Sequence, residues 1–179
     1  MNDNINTKSF YSNTISNFVS DNQEKIIGIL TKGYANAGFA NLIKNQIEAW
    51  KIEIDLLQNI FKKLIFDNSE INKWHILIEY PIPRRNCRAD VILLIKNFIV
   101  VIEFKIFSKE YLTTYEKQLL EYCYDLRDFH LKSANKFIYP ILVCTEADNF
   151  EFPNNNGNEF VKSTYFVAGE WVENAFVSS

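Results

Sequence analysis

Two apolar runs rich in β-branched residues, 91–95 and 98–104, are separated only by Lys96-Asn97. That pattern is a β-hairpin signal, and hairpin register decides which side chains lie beside one another. A loop at Lys96-Asn97 sets Asp90 opposite Glu103 and Arg88 opposite Lys105. A loop at Asn97-Phe98 sets Asp90 opposite Lys105 instead. In both registers Asp90, Glu103 and Lys105 share one face, because strand side chains alternate with period two. Directly paired positions hold their Cβ atoms roughly 4.5–5.5 Å apart. Two carboxylates at that separation repel each other unless a cation sits between them, and Mg²⁺ or a similar hard divalent ion suits such oxygen donors. A three-residue loop or a bulge that turned Asp90 to the opposite face from Glu103 would break this site.

The rest of the chain supplies layers for the hairpin. Residues 1–20 are rich in Asn and Ser, with Phe10, Tyr11, Ile15 and Phe18 forming a weakly amphipathic, turn-rich segment. Asp21-x-x-Glu24 has the form of a capping box opening a short helix that stops near Gly33. A stronger helix is expected over 41–66, where Ile43, Ile47, Trp50, Ile54, Leu57, Phe61 and Leu64 alternate steps of four and three. Such a stripe packs on a sheet, with Trp50 and Trp74 as core residues. Residues 74–80 form a strand ended by Pro81-Ile82-Pro83. Leu119, Tyr122, Cys123, Leu126 and Phe129 mark a helix over 112–129, and the apolar run 137–144 is a strand buried on both faces. Residues 152–158 make a polar loop ending in Asn156-Gly157, and 164–168 a last strand. The core, 41–145, is thus α-β-β-β-α-β, with an N-terminal helical extension over 1–40 and a C-terminal extension over 146–179. The expected class is α/β, a mixed central sheet flanked by helices in one domain of 179 residues.

Composition narrows the function classes. An apolar fraction of 47% with 15% aromatics fits a packed globule. No apolar run reaches the length of a membrane span and no signal peptide opens the chain, so the expected compartment is the cytoplasm. Cys87, Cys123 and Cys144 lack metal-ligand spacing, and only His75 and His130 are present, which argues against a zinc site or a disulfide framework. The net charge of −3 gives no global attraction to nucleic acid, so any such binding needs a local patch or bound metal.

The order of elements, with Asp90, Glu103-Phe104-Lys105 and Gln118-x-x-x-Tyr122, resembles the PD-(D/E)XK nuclease superfamily, in particular its RecB-type branch. The likeness covers roughly residues 41–145. More narrowly, the Glu79 to Asp90 segment, Val101-Ile-Glu-Phe-Lys105, Tyr122-x-x-Asp-Leu-x-x-Phe-His130 and Gln46-x-x-Ala-Trp50 resemble the nuclease-like N-terminal domain of bacterial Schlafen-related DNA/RNA helicases. The chain has Ala89 in place of the usual proline, and it lacks the phosphate-binding glycine loop of the helicase part. The resemblance implies a restriction-endonuclease-like fold and hydrolysis of phosphodiester bonds, with DNA favoured over RNA. It also implies a helicase domain or subunit as partner and a role in defence or repair. Mg²⁺ or Mn²⁺ would be held by Asp90, Glu103 and the Phe104 carbonyl, with Glu79 as a further acid. Lys105 would orient water or stabilise charge on the phosphate. Gln118 and Tyr122, four apart on one helical face, would position the substrate strand or the metal-bound water.

Other residues carry competing readings. Gln46, Glu48 and Glu53 each stand on the first core helix, and the sequence does not choose which of them joins the site. Arg84, Arg85 and Arg88 form the one dense basic cluster and suit backbone phosphates, or equally internal pairing with Glu79 and nearby acids. His130, at a helix end, reads as structural. Two further functions compete with the nuclease: a catalytically silent module that docks nucleic acid or a helicase, and a structural dimerisation domain. A homodimer would suit an enzyme that cuts both strands.

Overall fold

The structure is a computed structural model that describes residues 9–39, 43–83, 85–133, 135–148 and 160–168. Arg84 and the 152–158 loop lie outside the described residues. Among the described residues ten segments are labelled in chain order: β1 (Tyr11–Thr14), α1 (Ile15–Ser20), α2 (Gln23–Asn36), α3 (Ile43–Asp67), β2 (His75–Pro81), β3 (Arg88–Ile95), β4 (Phe98–Lys105), α4 (Thr113–Phe129), β5 (Phe137–Cys144) and β6 (Tyr165–Ala168), with a 3₁₀ turn (Ser69–Lys73) before β2.

The strands form one six-stranded sheet in the order β1-β2-β3-β4-β5-β6. Pairing is antiparallel from β1 to β4 and parallel from β4 to β6. This is an α/β architecture with a mixed sheet, and the core order α3-β2-β3-β4-α4-β5 is the α-β-β-β-α-β expected from the sequence. Two apolar cores lie on opposite faces. On one, the α3 stripe of Trp50, Ile54, Leu57, Phe61 and Leu64 packs with α1 and α2 against Ile78, Val91, Leu93, Ile102 and Val143. On the other, Leu119, Tyr122, Cys123 and Leu126 of α4 cover Ile92, Val101, Ile138 and Leu142. Among the described residues no helix is long and apolar enough to cross a membrane. The three cysteines are free thiols.

The β3–β4 hairpin settles the register left open by the sequence. Ile95 pairs with Phe98 and Val91 with Ile102, which makes Lys96-Asn97 the loop. Lys96 takes a left-handed conformation there, with φ of +49°. Regular pairing stops at Val91, so Asp90 stands at the point where the two strands part.

Both ends of the chain extend this sheet. The segment around Tyr11, read from sequence as turn-rich, contributes edge strand β1, and the N-terminal extension is therefore not purely helical. The cap of α2 also differs from expectation. Asn22, not Asp21, accepts the Glu24 N–H, while Asp21 is taken by Tyr11 and Lys25. Gly33 does not stop α2, which continues to Asn36. A Cβ at position 33 would lie 2.4 Å from Cγ of Phe10, so this glycine serves a close helix-to-strand approach.

Candidate active site

The site forms where β2, β3 and β4 lose regular pairing, between the helix layers of α3 and α4. Glu79 interrupts β2 with φ of +56°, an uncommon conformation for a residue with a long side chain. The ladder between β2 and β3 pairs Ile78 with Val91 and Tyr80 with Ala89, leaving Glu79 and Asp90 as the skipped pair between them. The faces change here. Ile78 and Val91 belong to the α3 core, whereas Tyr80 and Ala89 pack with the α4 core. Local left-handed geometry thus turns Glu79 toward α3 instead of letting it alternate away.

On that side Trp50 Nε1 donates to Glu79 Oε1 at 2.9 Å and Gln46 Nε2 donates to the same oxygen at 3.3 Å. Arg88 Nη1 donates to the Glu79 carbonyl at 2.6 Å, and its guanidinium lies 3.7 Å from the centre of the Phe10 ring. Tyr34 meets Trp50 edge to face, with centroids 5.1 Å apart. The N-terminal segment and α2 therefore wall one side of the site.

On the α4 side, Lys105 Nζ donates to Glu103 Oε1 at 2.9 Å and to Gln118 Oε1 at 3.2 Å. Gln118 Nε2 donates to Glu103 Oε1 at 3.3 Å and makes a short hydrogen bond to the Tyr122 hydroxyl. The Lys105 ammonium also lies 4.9 Å from the Tyr115 ring centre. Asp90 bridges the strands in a different way. Its Oδ2 accepts the Phe104 N–H at 2.7 Å, replacing the strand carbonyl that regular pairing would have supplied.

Four carboxylates come together here. Besides Glu79, Asp90 and Glu103, Glu53 is buried on α3 and feels the charges of the other three. Burial first, and then the repulsion of Asp90, pushes Glu79 up to about 7 and Glu103 up to about 8. Burial lifts Asp90 to about 6, against the pull of the Phe104 N–H and Lys105. Glu53 is driven well above the ordinary carboxylate range by burial and then by Asp90, Glu79 and Glu103. Burial works against the charge on Lys105, but Glu103, through its charge and its hydrogen bond, outweighs that and raises the lysine pKa.

One atom has no such compensation. Glu103 is 4% exposed, and its Oε2 is buried without any hydrogen-bond partner. Burying a carboxylate oxygen in this way is costly unless a donor or cation meets it. The all-oxygen donors, the repulsion among them and this bare oxygen fit a hard divalent cation. Among the described residues, no group of three His, Cys, Asp or Glu side chains is gathered closely enough to hold a metal ion by itself.

The structure thus brings Asp90, Glu103, Lys105, Gln118, Tyr122 and Glu79 into one site, with Gln46 joining through Glu79. Among the three candidates on the first core helix, Glu48 is exposed and lies 4.0 Å from Lys51, away from the acids. Glu53 is the buried one. Its signal was present in the sequence: Trp50, Glu53 and Leu57 continue the three-and-four spacing, so an acid occupies the apolar stripe itself. Arg85 is engaged by Glu121 and Asp125 of α4, at 3.0 Å from Glu121 Oε2. Arg88 faces the Glu79 backbone and Phe10. The His130 ring nitrogen Nδ1 lies 2.7 Å from Ser133 Oγ, a local contact just past the end of α4. Comparison with protein-family models, curated proteins and solved structures finds no match to this chain.

Proposed function

We propose that the chain is a metal-dependent phosphodiesterase that hydrolyses DNA. The single observation that carries this reading is the bare, buried Glu103 Oε2 amid three other buried or half-buried acids, with a lysine fixed beside it. An arrangement serving stability alone would not bury four carboxylates so close that the charge of Asp90 raises the cost of ionising the other three. Asp90 and Glu103 are the residues to hold Mg²⁺ or Mn²⁺, with the Phe104 carbonyl and Glu79 as further oxygen donors. One or two protein carboxylates would suffice to hold Mg²⁺.

When bound, the ion supplies Lewis acidity and a positive charge opposite the phosphate. The residues of the chain do the rest. Lys105 presents a fixed ammonium to charge that builds on the phosphoryl oxygens. Gln118 holds that ammonium in place through its carbonyl and holds Glu103 through its amide, and the Tyr122 hydroxyl orients Gln118 in turn. Asp90 is kept ionisable by the Phe104 N–H and Lys105. Glu79, held by Trp50 and Gln46, sets the negative potential behind it.

The preference for DNA, a helicase domain or subunit as partner, and a role in defence or repair rest on the resemblance of the motifs around Asp90, Glu103 and Tyr122, an argument by analogy. Titration with Mn²⁺, followed by its electron paramagnetic resonance signal, tests the site directly. Wild type should bind the ion and Glu103→Gln should lose most of that affinity. Wild type that leaves Mn²⁺ free at millimolar concentration would sink the metal reading. A metal-free protein that still bound DNA would support the docking module instead.

A further inference from the structure

Phe107 is 60% exposed although it follows Lys105 by only two residues. Scattered exposed apolar side chains are ordinary on protein surfaces. What sets Phe107 apart is how it is held. Its φ of +61° is left-handed, a genuine outlier for a bulky residue and one that persists only where surrounding structure imposes it. That structure is a set of short-range hydrogen bonds. The Phe107 N–H donates to Thr145 Oγ1 at 2.8 Å, and the Ser108 and Thr145 N–H groups both donate to the Lys105 carbonyl, at 3.2 and 3.3 Å. Glu146 N–H donates to the Ser108 carbonyl at 3.0 Å, and Ser108 Oγ donates to the Glu110 carbonyl at 2.9 Å. Ile106, one residue earlier, packs into the α3 core and anchors the turn. A strained and well-tied turn therefore holds an aromatic ring out in water two residues beyond the lysine of the site.

We infer that Phe107 is a stacking platform for an unpaired nucleobase, which makes single-stranded nucleic acid the substrate class of the site; this rests on the phosphodiesterase reading above. Two residues of chain separate the Phe107 and Lys105 Cα atoms by at most about 7 Å. A base attached next to a phosphate held at Lys105 is within reach of a ring so placed. In a duplex the faces of interior bases are already stacked on their neighbours, whereas an unpaired base offers its face to an aromatic side chain. Leu112, at the other end of the same connection where α4 begins, is also exposed. Exposed Lys109, between them, adds positive charge on the strand's path, tempered by Glu146 at 3.9 Å.

The test compares wild type, Phe107→Ala and Phe107→Trp for binding of a short labelled single strand and of a blunt duplex, by fluorescence anisotropy, with Mn²⁺ binding and strand cleavage measured on the same preparations. Phe107→Ala should weaken single-strand binding roughly tenfold while duplex binding changes by less than about twofold. Phe107→Trp should restore the single-strand affinity, and Mn²⁺ affinity should be unchanged throughout. Full single-strand affinity in Phe107→Ala, or equal losses on both substrates, overturns the stacking role even where wild type binds metal and cuts. Wild type that neither binds Mn²⁺ nor cuts overturns the underlying phosphodiesterase reading, and the substrate assignment with it.

Discussion

Replacing Glu103 by glutamine should make the metal-free protein more stable, and increasingly so as pH rises. Glutamine mimics the protonated acid, and its carbonyl still accepts from Lys105 and Gln118, so the variant isolates the cost of ionising Glu103 in its buried position. In the fold the acid titrates at about 8 against an ordinary 4.5. The folded protein therefore keeps a proton that the unfolded chain has lost between those values. Stability of wild type falls with pH across that window, and the loss is complete above the folded value. At about 1.4 kcal/mol per pH unit, the advantage of Glu103→Gln should grow by on the order of 4 kcal/mol between pH 5 and pH 8.5. For a chain of this length that corresponds to roughly 10 °C in Tm. Urea and thermal unfolding in the presence of a chelator, at both pH values, provide the assay. Adding Mg²⁺ at about a hundredfold its Kd should then return about 2.7 kcal/mol to wild type and nothing to the variant. A variant that is less stable at both pH values by the same amount would refute the reasoning, because Glu103 would then act as an ordinary paired carboxylate.

Three further outcomes follow from local geometry. Trp50→Phe removes the buried N–H that Glu79 accepts and should cost about 1–3 kcal/mol in urea unfolding. Gly33→Ala forces a methyl group into the Phe10 ring and should cost about 1–3 kcal/mol, seen as a lower Tm, unless Phe10 is cut to alanine as well. Lys96→Gly relieves the left-handed strain in the β3–β4 loop and should raise stability by about 1 kcal/mol in urea unfolding.

The parts of the fold legible in the sequence were those where periodicity and burial agree. Residues 99–102 are apolar on both faces because helices cover both sides of β4, and Lys96-Asn97 was the one break between two such runs. That placed Asp90, Glu103 and Lys105 on one face, and the pairing of Ile95 with Phe98 then decided the register. The α3 stripe was equally plain, since a 25-residue helix repeats its buried positions many times over. Edge strand β1 was obscure for the opposite reason. It has four residues, with Ser12 exposed and Asn13 half-buried, and its pairing with β2 spans more than sixty positions of sequence that no local pattern reports. Glu79 could be read as a candidate acid, but its left-handed backbone could not. That conformation follows from tertiary demands, namely the Trp50 and Gln46 hydrogen bonds and the Arg88 guanidinium held at its carbonyl. Glu53 stood beside Gln46 and Glu48 as an undecided candidate; its place within the apolar stripe was the signal that separates it from them, and its burial on the folded helix makes that signal plain. Arg85 shows how a basic cluster divides once folded, with one guanidinium taken up by two acids of α4 and another, Arg88, turned inward onto Phe10.

The most direct measurement is cleavage of single- and double-stranded DNA by wild type, Glu103→Ala and Lys105→Ala, each with Mg²⁺, with Mn²⁺ and with chelator. Cutting by wild type that requires the metal and is lost in both variants, with each variant still folded, is the predicted result. Absence of cutting by folded wild type in either metal, or cutting that survives both substitutions, would contradict a phosphodiesterase centred on Glu103 and Lys105.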